Sequence, residues 1–336
     1  MNAISKRLVV VTMLVTLFSN LSAQNYISKE PFAHTFSIVA IDTSSGEMAV
    51  GVQSHWFSVG TIVSWAKSGV GVVATQSFVN PALGTDGIKL MSKGKSAEET
   101  LKTLIEKDEG RKFRQVAMLD KNVNCGVYKG KKGVKFAENK KGLIYSEQAN
   151  MMLNDKVIPA MSNTFEENDN LPLAERVLRS MQSAQDAGGD IRGKQSAVLL
   201  VVDIESANNE WMDKKVNLRV DDHNEPLHEL ERLLKVHRAY EHMNNGDLAI
   251  EHGDMELALS EYGSAEKMFP DNLEMKYWKA VALANNNRLN DALPIFKFVF
   301  NKDENWIELT KRLPGPGLLI VSEEDLEKIL TCNHLN

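Results

Sequence analysis

Two eight-residue runs, "TFSIVAID" (Thr35 to Asp42) and "EMAVGVQS" (Glu47 to Ser54), flank the tetrapeptide "TSSG". Both runs are rich in β-branched and apolar residues, and Ser45 with Gly46 suits a tight turn, so the pair reads as a β-hairpin. "TIVSW" and "GVGVVATQS" continue the sheet to Ser77, with Gly69 and Gly71 marking close backbone approach or twist. Helix signals follow: Asn80 with Pro81 opens one helix, and Ser96 with Glu99 forms a capping box ahead of "TLKTLIEK". Strand patterns return at "RQVAMLD", "NCGVY" and "GVKFAE". Helical spacing covers Leu153 to Phe165 and Pro172 to Gln185, and strands come back at "SAVLLVVD" and "KVNLRVD". That order predicts one layered domain of sheets and helices, α+β or α/β, over residues 34–232.

From residue 235 the pattern is helical throughout, and a repeat emerges. Gly246, Gly253, Ala258, Tyr262, Ala265 and Pro270 sit at spacings that resemble the tetratricopeptide pattern. A second copy, with Ala280, Leu283, Ala292 and Phe296, follows 34 residues later, the offset from Ala258 to Ala292. Residues 233–313 are therefore expected to form helical repeats and residues 314–336 a C-terminal tail. Two copies bury little on their own, so they should lean on the first domain, on a partner chain, or on the segment "NWIELTKRL". A homo-oligomer is expected.

At the other end, Lys6 and Arg7 precede an apolar run from Leu8 to Phe18, and small residues Ser22 and Ala23 precede Gln24. This reads as an export signal over residues 1–23, followed by a leader over 24–33. The run is too short for a membrane span, which needs about 20 apolar residues, so the mature chain is expected in the periplasm or secreted, with no span of its own. The 336-residue chain is 43% hydrophobic and carries a formal net charge of -6, which argues against a broad nucleic-acid surface. Cys125 and Cys332 fall in different predicted domains, so no disulfide is expected.

Several hydrolytic and nucleotide-binding signatures are missing. "HELER" at His228 lacks the second His of a zinc-protease helix, and neither a Gly-x-Ser-x-Gly elbow nor a phosphate-binding Walker loop occurs. What the sequence does contain, in order, is "TFSIVA", "WAKSGVGVVATQ", "GKSAEETL", "GGDIRGKQSA" and "RVDDHNEPLHELERL". Over about residues 34–232 these phrases resemble a bacterial family known as domain of unknown function 1028. That family is similar in fold to the N-terminal nucleophile hydrolases, so the resemblance implies an α+β, four-layer αββα sandwich ahead of the all-α repeats. It also implies a mechanism in which the first residue of the mature chain supplies a hydroxyl nucleophile and, through its free α-amino group, the general base.

Thr35, opening the first strand, stands where that nucleophile would sit. Eleven residues, Gln24 to His34, separate it from the expected export cut, so the mechanism needs a second cleavage between His34 and Thr35. The other reading is a strand threonine with a satisfied hydroxyl. Lys67, before "GVGVVATQ", either lowers the nucleophile's proton affinity or is a solvated lysine. Gln53 and Ser54 end the second strand near where related hydrolases keep an acidic partner, a role Gln53 cannot fill. With Gln76 and Asn80 they are candidates for lining a substrate site. In "GGDIRGKQSA", Gly188, Gly189 and Gly193 permit positive backbone angles, leaving Asp190 and Arg192 in a turn that leads to Gln195 and Ser196. That turn either presents polar groups to substrate or is pinned by an ion pair. Asp221, Asp222 and His223 could ligate a divalent cation or cap the helix before Pro226. Trp56, Phe57 and Trp65 line a cleft or fill the core.

The expected function is hydrolysis of amide bonds in a small molecule, peptide or cell-wall fragment, without a cofactor. The alternatives are a non-catalytic binding or assembly protein that takes a protein or peptide partner in its repeat groove, and a metal-dependent hydrolase.

Overall fold

The structure is a computed structural model and describes residues 32–33, 35–206, 209 and 212–333. The expected export signal and leader residues 24–31 lie outside the described residues. The chain divides into two compact units, Met1–Glu231 and Arg232–Asn336.

The first unit is α+β and contains two antiparallel sheets. The hairpin forms as β2 (Thr35–Asp42) and β3 (Glu47–Ser54), paired from Thr35 opposite Ser54 to Asp42 opposite Glu47. These strands are central in a six-stranded sheet. On one side of the hairpin lie β10 (Ser196–Asp203) and β11 (Val216–Val220), and on the other β9 (Tyr145–Ala149) and β8 (Glu138–Lys141). The second sheet is built on β5 (Gly71–Phe78), with β6 (Arg114–Asp120) and then β7 (Cys125–Lys129) on one side. The other edge of β5 is shared by β4 (Ser64–Lys67), at Gly71 to Ala74, and by β1 (Phe32–Ala33), at Ser77 and Phe78.

Strand side chains alternate between faces, so every second residue of each sheet points at the other sheet. Val39, Ile41, Met48, Val50, Val52, Val198 and Leu200 from the first sheet meet Val72, Ala74, Ala117 and Leu119 from the second in one apolar core. Helices cover the outer faces. α1 (Ala82–Met91) and α2 (Ala97–Lys107) contact β5 and β6, whereas α3 (Val157–Glu167) and α4 (Leu173–Asp186) contact β9, β2 and β3. The α2 capping box is complete: Glu99 N donates to Ser96 Oγ at 3.2 Å and Ser96 N donates to Glu99 Oε2 at 3.3 Å. Gly51 lets α4 approach β3, because a Cβ there would lie 2.6 Å from Val177 Cγ1.

The second unit is helical throughout. The boundary falls within α5 (Pro226–Glu251), and α6 (Met255–Met268), α7 (Leu273–Asn285), α8 (Leu289–Lys302) and α9 (Asn305–Arg312) follow. Residues 34 apart occupy matching buried positions: Ala258 with Ala292, and Tyr262 with Phe296. Gly246 backs onto Tyr262, where a Cβ would lie 2.5 Å from the ring. The stretch expected to be a tail holds a further helix, α10 (Glu323–Thr331), whose Ile329 joins the same core as Phe296 and Phe300. Among the described residues no helix is long and apolar enough to cross a membrane, and Cys125 and Cys332 are buried free thiols.

Candidate functional site

At the end of the sandwich where β2 begins, the layer between the sheets changes from apolar to polar. Thr35 and Ser37 continue the inward-facing row of Val39 and Ile41, and Ser54 continues that of Val50 and Val52. Ser196, Gln76, Gln115 and Gln148 occupy the corresponding places on β10, β5, β6 and β9. All seven are fully buried, and none carries a charge.

Hydrogen bonds tie these side chains together across the two sheets. Ser37 Oγ donates to Gln76 Oε1 at 2.6 Å, and Gln76 Nε2 donates to the Thr35 carbonyl at 2.8 Å and to Gln115 Oε1 at 2.9 Å. The Thr35 carbonyl also accepts from Asn150 N at 3.0 Å. Ser196 Oγ donates to the Trp56 carbonyl and accepts from Val59 N at 3.1 Å, fixing the turn after β3. Gln148 Oε1 is 3.4 Å from Ser37 Oγ, and its Nε2 has no hydrogen-bond partner among the described residues. A buried donor without a partner is costly, about 1–3 kcal/mol, which marks this amide as free to meet a ligand.

Thr35 Oγ1 donates to the Ala33 carbonyl at 3.0 Å. The hydroxyl is therefore satisfied by the residue two places upstream, across the bond whose cleavage would create a free amine. The groups that fix Thr35 in place are downstream of it or on other strands: the ladder to Ser54, and the two donors to its carbonyl.

The structure does not bring Lys67 to this site. Lys67 pairs with Gly71, five residues along β5 from Gln76 and roughly 17 Å away at about 3.3 Å per residue. It lines a separate surface cavity with Trp65, Thr85 and Asp213. Gln53 is fully buried, but it lies on the outward row of β3 with Gly51, beneath α4, and its amide has no partner among the described residues. Asn80 works as a helix starter, its Oδ1 accepting from Ala82 N at 3.1 Å.

Asp190 is buried, and Arg192 reaches both of its oxygens, Nε to Oδ1 at 3.0 Å and Nη2 to Oδ2 at 2.7 Å. His55 N adds a 3.4 Å contact to Oδ2, so this pair pins the loop against the end of β3. Gln195 N donates to the Ser54 carbonyl at 3.0 Å, while its side chain turns to Asp222 Oδ1. The 221–223 cluster does not converge. Arg219 and Ser58 bind Asp221 and hold its carboxyl below the usual range; Gln195 holds Asp222, and His223 Nδ1 accepts from Glu225 N at 2.9 Å at the start of α5. Among the described residues no three His, Cys, Asp or Glu side chains group as metal ligands. Trp56 packs on the core between the sheets, Trp65 on the α1–α2 layer, and Phe57 is exposed.

Three members of the polar layer, Ser37, Gln115 and Gln148, escape a reading of the sequence alone. Ser37 is the second residue after Thr35, so the strand alternation places it on the same face; Gln115 and Gln148 carry no comparable local signal.

The first unit is thus a two-sheet α+β fold with a buried polar layer at one end of the sandwich. A family of unknown function, DUF1028, matches residues 35–230, and the chain belongs to that family. It is similar to the crystal structure of protein SPO2555 from Silicibacter pomeroyi, which carries the same family assignment: 25% sequence identity, a TM-score of 0.54, and coverage of 60% of this chain and 85% of that chain. No curated protein matches the chain.

Proposed function

We propose that the first unit is an amide hydrolase of the N-terminal nucleophile type, with a four-layer αββα stacking, in an exported protein. It becomes active when the chain is cut between His34 and Thr35. The observation that carries this reading is the Thr35 hydroxyl turned back onto the Ala33 carbonyl within an uncharged polar layer. Cutting before Thr35 frees that hydroxyl and leaves the downstream bonds to Gln76 and Asn150 in place. The cut also creates an α-amine with a pKa of about 7.7–8.0, suited to act as base near neutrality.

Thr35 Oγ then attacks the substrate carbonyl, and its proton passes to the α-amine. The tetrahedral oxyanion is held by donors of the layer, among which Gln148 Nε2 has no other partner among the described residues. Thr35 pairs beside Asn150, which makes Gln148 its diagonal neighbour across β2 and β9, about 7–8 Å between backbones and within reach of a glutamine side chain. Collapse passes the proton to the leaving amine, and water hydrolyses the resulting ester.

Intact-mass measurement of the exported protein tests the reading. The expected mature chain begins at Thr35, and Thr35→Ala retains the leader and abolishes amide hydrolysis. A mature chain beginning near Gln24 would overturn it.

A second reading concerns the helical unit, where the 34-residue correspondence of Ala258 with Ala292 and Tyr262 with Phe296 suits tetratricopeptide-like repeats. A cavity of about 390 Å³ lined by Asp247, Ile250, Glu251, Trp278 and Val281 gives such repeats a place to hold a peptide partner.

A further inference from the structure

β1 and β2 are separated by one residue yet belong to different sheets. β2 starts the central hairpin, while Phe32 and Ala33 pair antiparallel with Phe78 and Ser77 on the edge of β5. β4 covers that edge only from Gly71 to Ala74, and Thr75 N is satisfied by the Val63 carbonyl at 2.9 Å. Beyond Thr75, β1 is the strand that completes the edge. The place it fills is narrow and enclosed: Ala33 is fully buried in the core between the sheets and Ser77 is 2% exposed. Ser77 also holds a φ of 78°, a conformation non-glycine residues rarely adopt, at the point where β5 passes from β4 to β1.

From this we infer that the substrate is a polypeptide segment, which adds to β5 as a strand beside Ser77 and Phe78 in the place of β1. The inference rests on the nucleophile reading above. When β1 leaves after cleavage, the buried Ser77 backbone opposite Ala33 loses that partner, whereas the Phe78 carbonyl keeps Arg114 Nη1 at 2.6 Å, and an unpaired buried backbone group is unfavourable. An extended peptide restores those bonds and delivers its next carbonyl to Thr35, as the leader does; a compact amide without a peptide backbone on that side restores nothing. Because Ala33 is enclosed by the core, the substrate residue second from the cleaved bond on its N-terminal side must be small.

The test uses the full exported chain, shown by mass to begin at Thr35, and fluorogenic coumarin amides. The parent is acetyl-Pro-Phe-Ala-His-amidomethylcoumarin, the sequence of residues 31–34. It is compared with acetyl-His-amidomethylcoumarin, with a peptide carrying Leu in place of Ala, and with two peptides bearing a single backbone N-methyl group at Phe or at Ala. In an antiparallel ladder, opposed residues alternate between hydrogen-bonded and non-bonded pairs. One N-methyl group should therefore lower kcat/KM by about three- to tenfold, the worth of one ladder bond, and the other much less. The truncated amide and the Leu peptide should each lose at least tenfold. Equal kcat/KM for the truncated and parent amides, or tolerance of Leu, by a chain that begins at Thr35 would overturn strand addition and leave the nucleophile reading standing. A chain that begins upstream of Thr35 overturns both.

Discussion

Glu147 lies on β9 between Ser146 and Gln148, but it points the other way, into the layer between the six-stranded sheet and α3–α4. It is fully buried, and its oxygens meet Ser162 Oγ at 2.6 Å and Ser180 Oγ at 3.3 Å. Each hydroxyl has one hydrogen and an alternative acceptor on its own layer, the Ile158 carbonyl for Ser162 and the Met161 carbonyl for Ser180. A neutral carboxyl can donate to Ser162 Oγ and leave both serines bonded to those carbonyls, whereas a carboxylate must compete for their hydrogens. Burial accordingly pushes the Glu147 carboxyl up to about 8, against opposing hydrogen bonds from the two serines and the attraction of Lys140, with Glu166 adding to the rise.

The consequence is a stability that depends on pH. In the unfolded chain Glu147 ionises above its ordinary value of 4.5, while in the folded chain it keeps its proton to about pH 8. Between those values the folded state binds more protons, so stability falls as pH rises, by about 1.4 kcal/mol per unit from this residue and by about 5 kcal/mol at most over the whole window. Glu147→Gln removes the titration. Its second amide hydrogen lacks a partner and imposes a penalty of about 1 kcal/mol that does not vary with pH. Urea unfolding of both chains from pH 5 to pH 9, with hydrogen exchange over α3 and α4 to localise the effect, gives the comparison. The variant should be slightly less stable than the parent at pH 5 and more stable by at least about 2 kcal/mol at pH 8.5. A difference between the two chains that stays constant across that range would refute the reasoning.

Two other outcomes are expected. Phe296, fully buried and packed edge-on against Tyr277 and tilted against Phe300 at centroid distances of 5.8 and 5.6 Å, should cost about 3–5 kcal/mol on truncation to Ala, seen as lost hydrogen-exchange protection in Arg232–Asn336 with the first unit unchanged. Lys67→Ala should leave peptide hydrolysis within about twofold of the parent, since the side chain is roughly 17 Å along β5 from the Gln76 end of the polar layer; a hundredfold loss would reinstate it as part of the site.

The hairpin, the α2 capping box and β10 were legible because each is written in local chemistry: apolar β-branched runs, a turn glycine, and a serine three residues before a glutamate. β9 was not. Its five residues read "YSEQA", and Ser146, Glu147 and Gln148 are all fully buried although nothing about their composition says so. Hydropathy identifies strands by burial of apolar groups, and β9 buries polar ones on both faces, Gln148 toward the opposite sheet and Glu147 toward the helices. The strand expected at "GVKFAE" forms instead at Glu138–Lys141, where β8 takes its register from β9. The helix in the expected tail had a readable start, since Ser322 Oγ accepts from Asp325 N at 3.1 Å, but its fate depended on Ile329 finding the core of the preceding helices.

The same limit explains why the site was only half visible. A sequence pattern can mark Thr35 as the first residue of a strand, but the layer around it is assembled by register between strands far apart in the chain: Ser37 opposite Gln148, Thr35 opposite Ser54, and Ser54 opposite Ser196. Serine, threonine and glutamine side chains can orient a carbonyl and donate to an oxyanion, yet none titrates near neutrality, so the layer contains no general base of its own. On the proposed reading that deficiency keeps the chain inert until it is cut, because the missing base is the α-amine of Thr35. With no carboxylate among the seven residues to stabilise an ammonium, desolvation holds that amine at or below its ordinary pKa, and a fraction large enough for catalysis is unprotonated at pH 7. An acidic side chain in this layer would raise the amine's pKa and shrink its unprotonated fraction at pH 7; the buried carboxylate at the rim, Asp190, is instead paired with Arg192 at 2.7 Å.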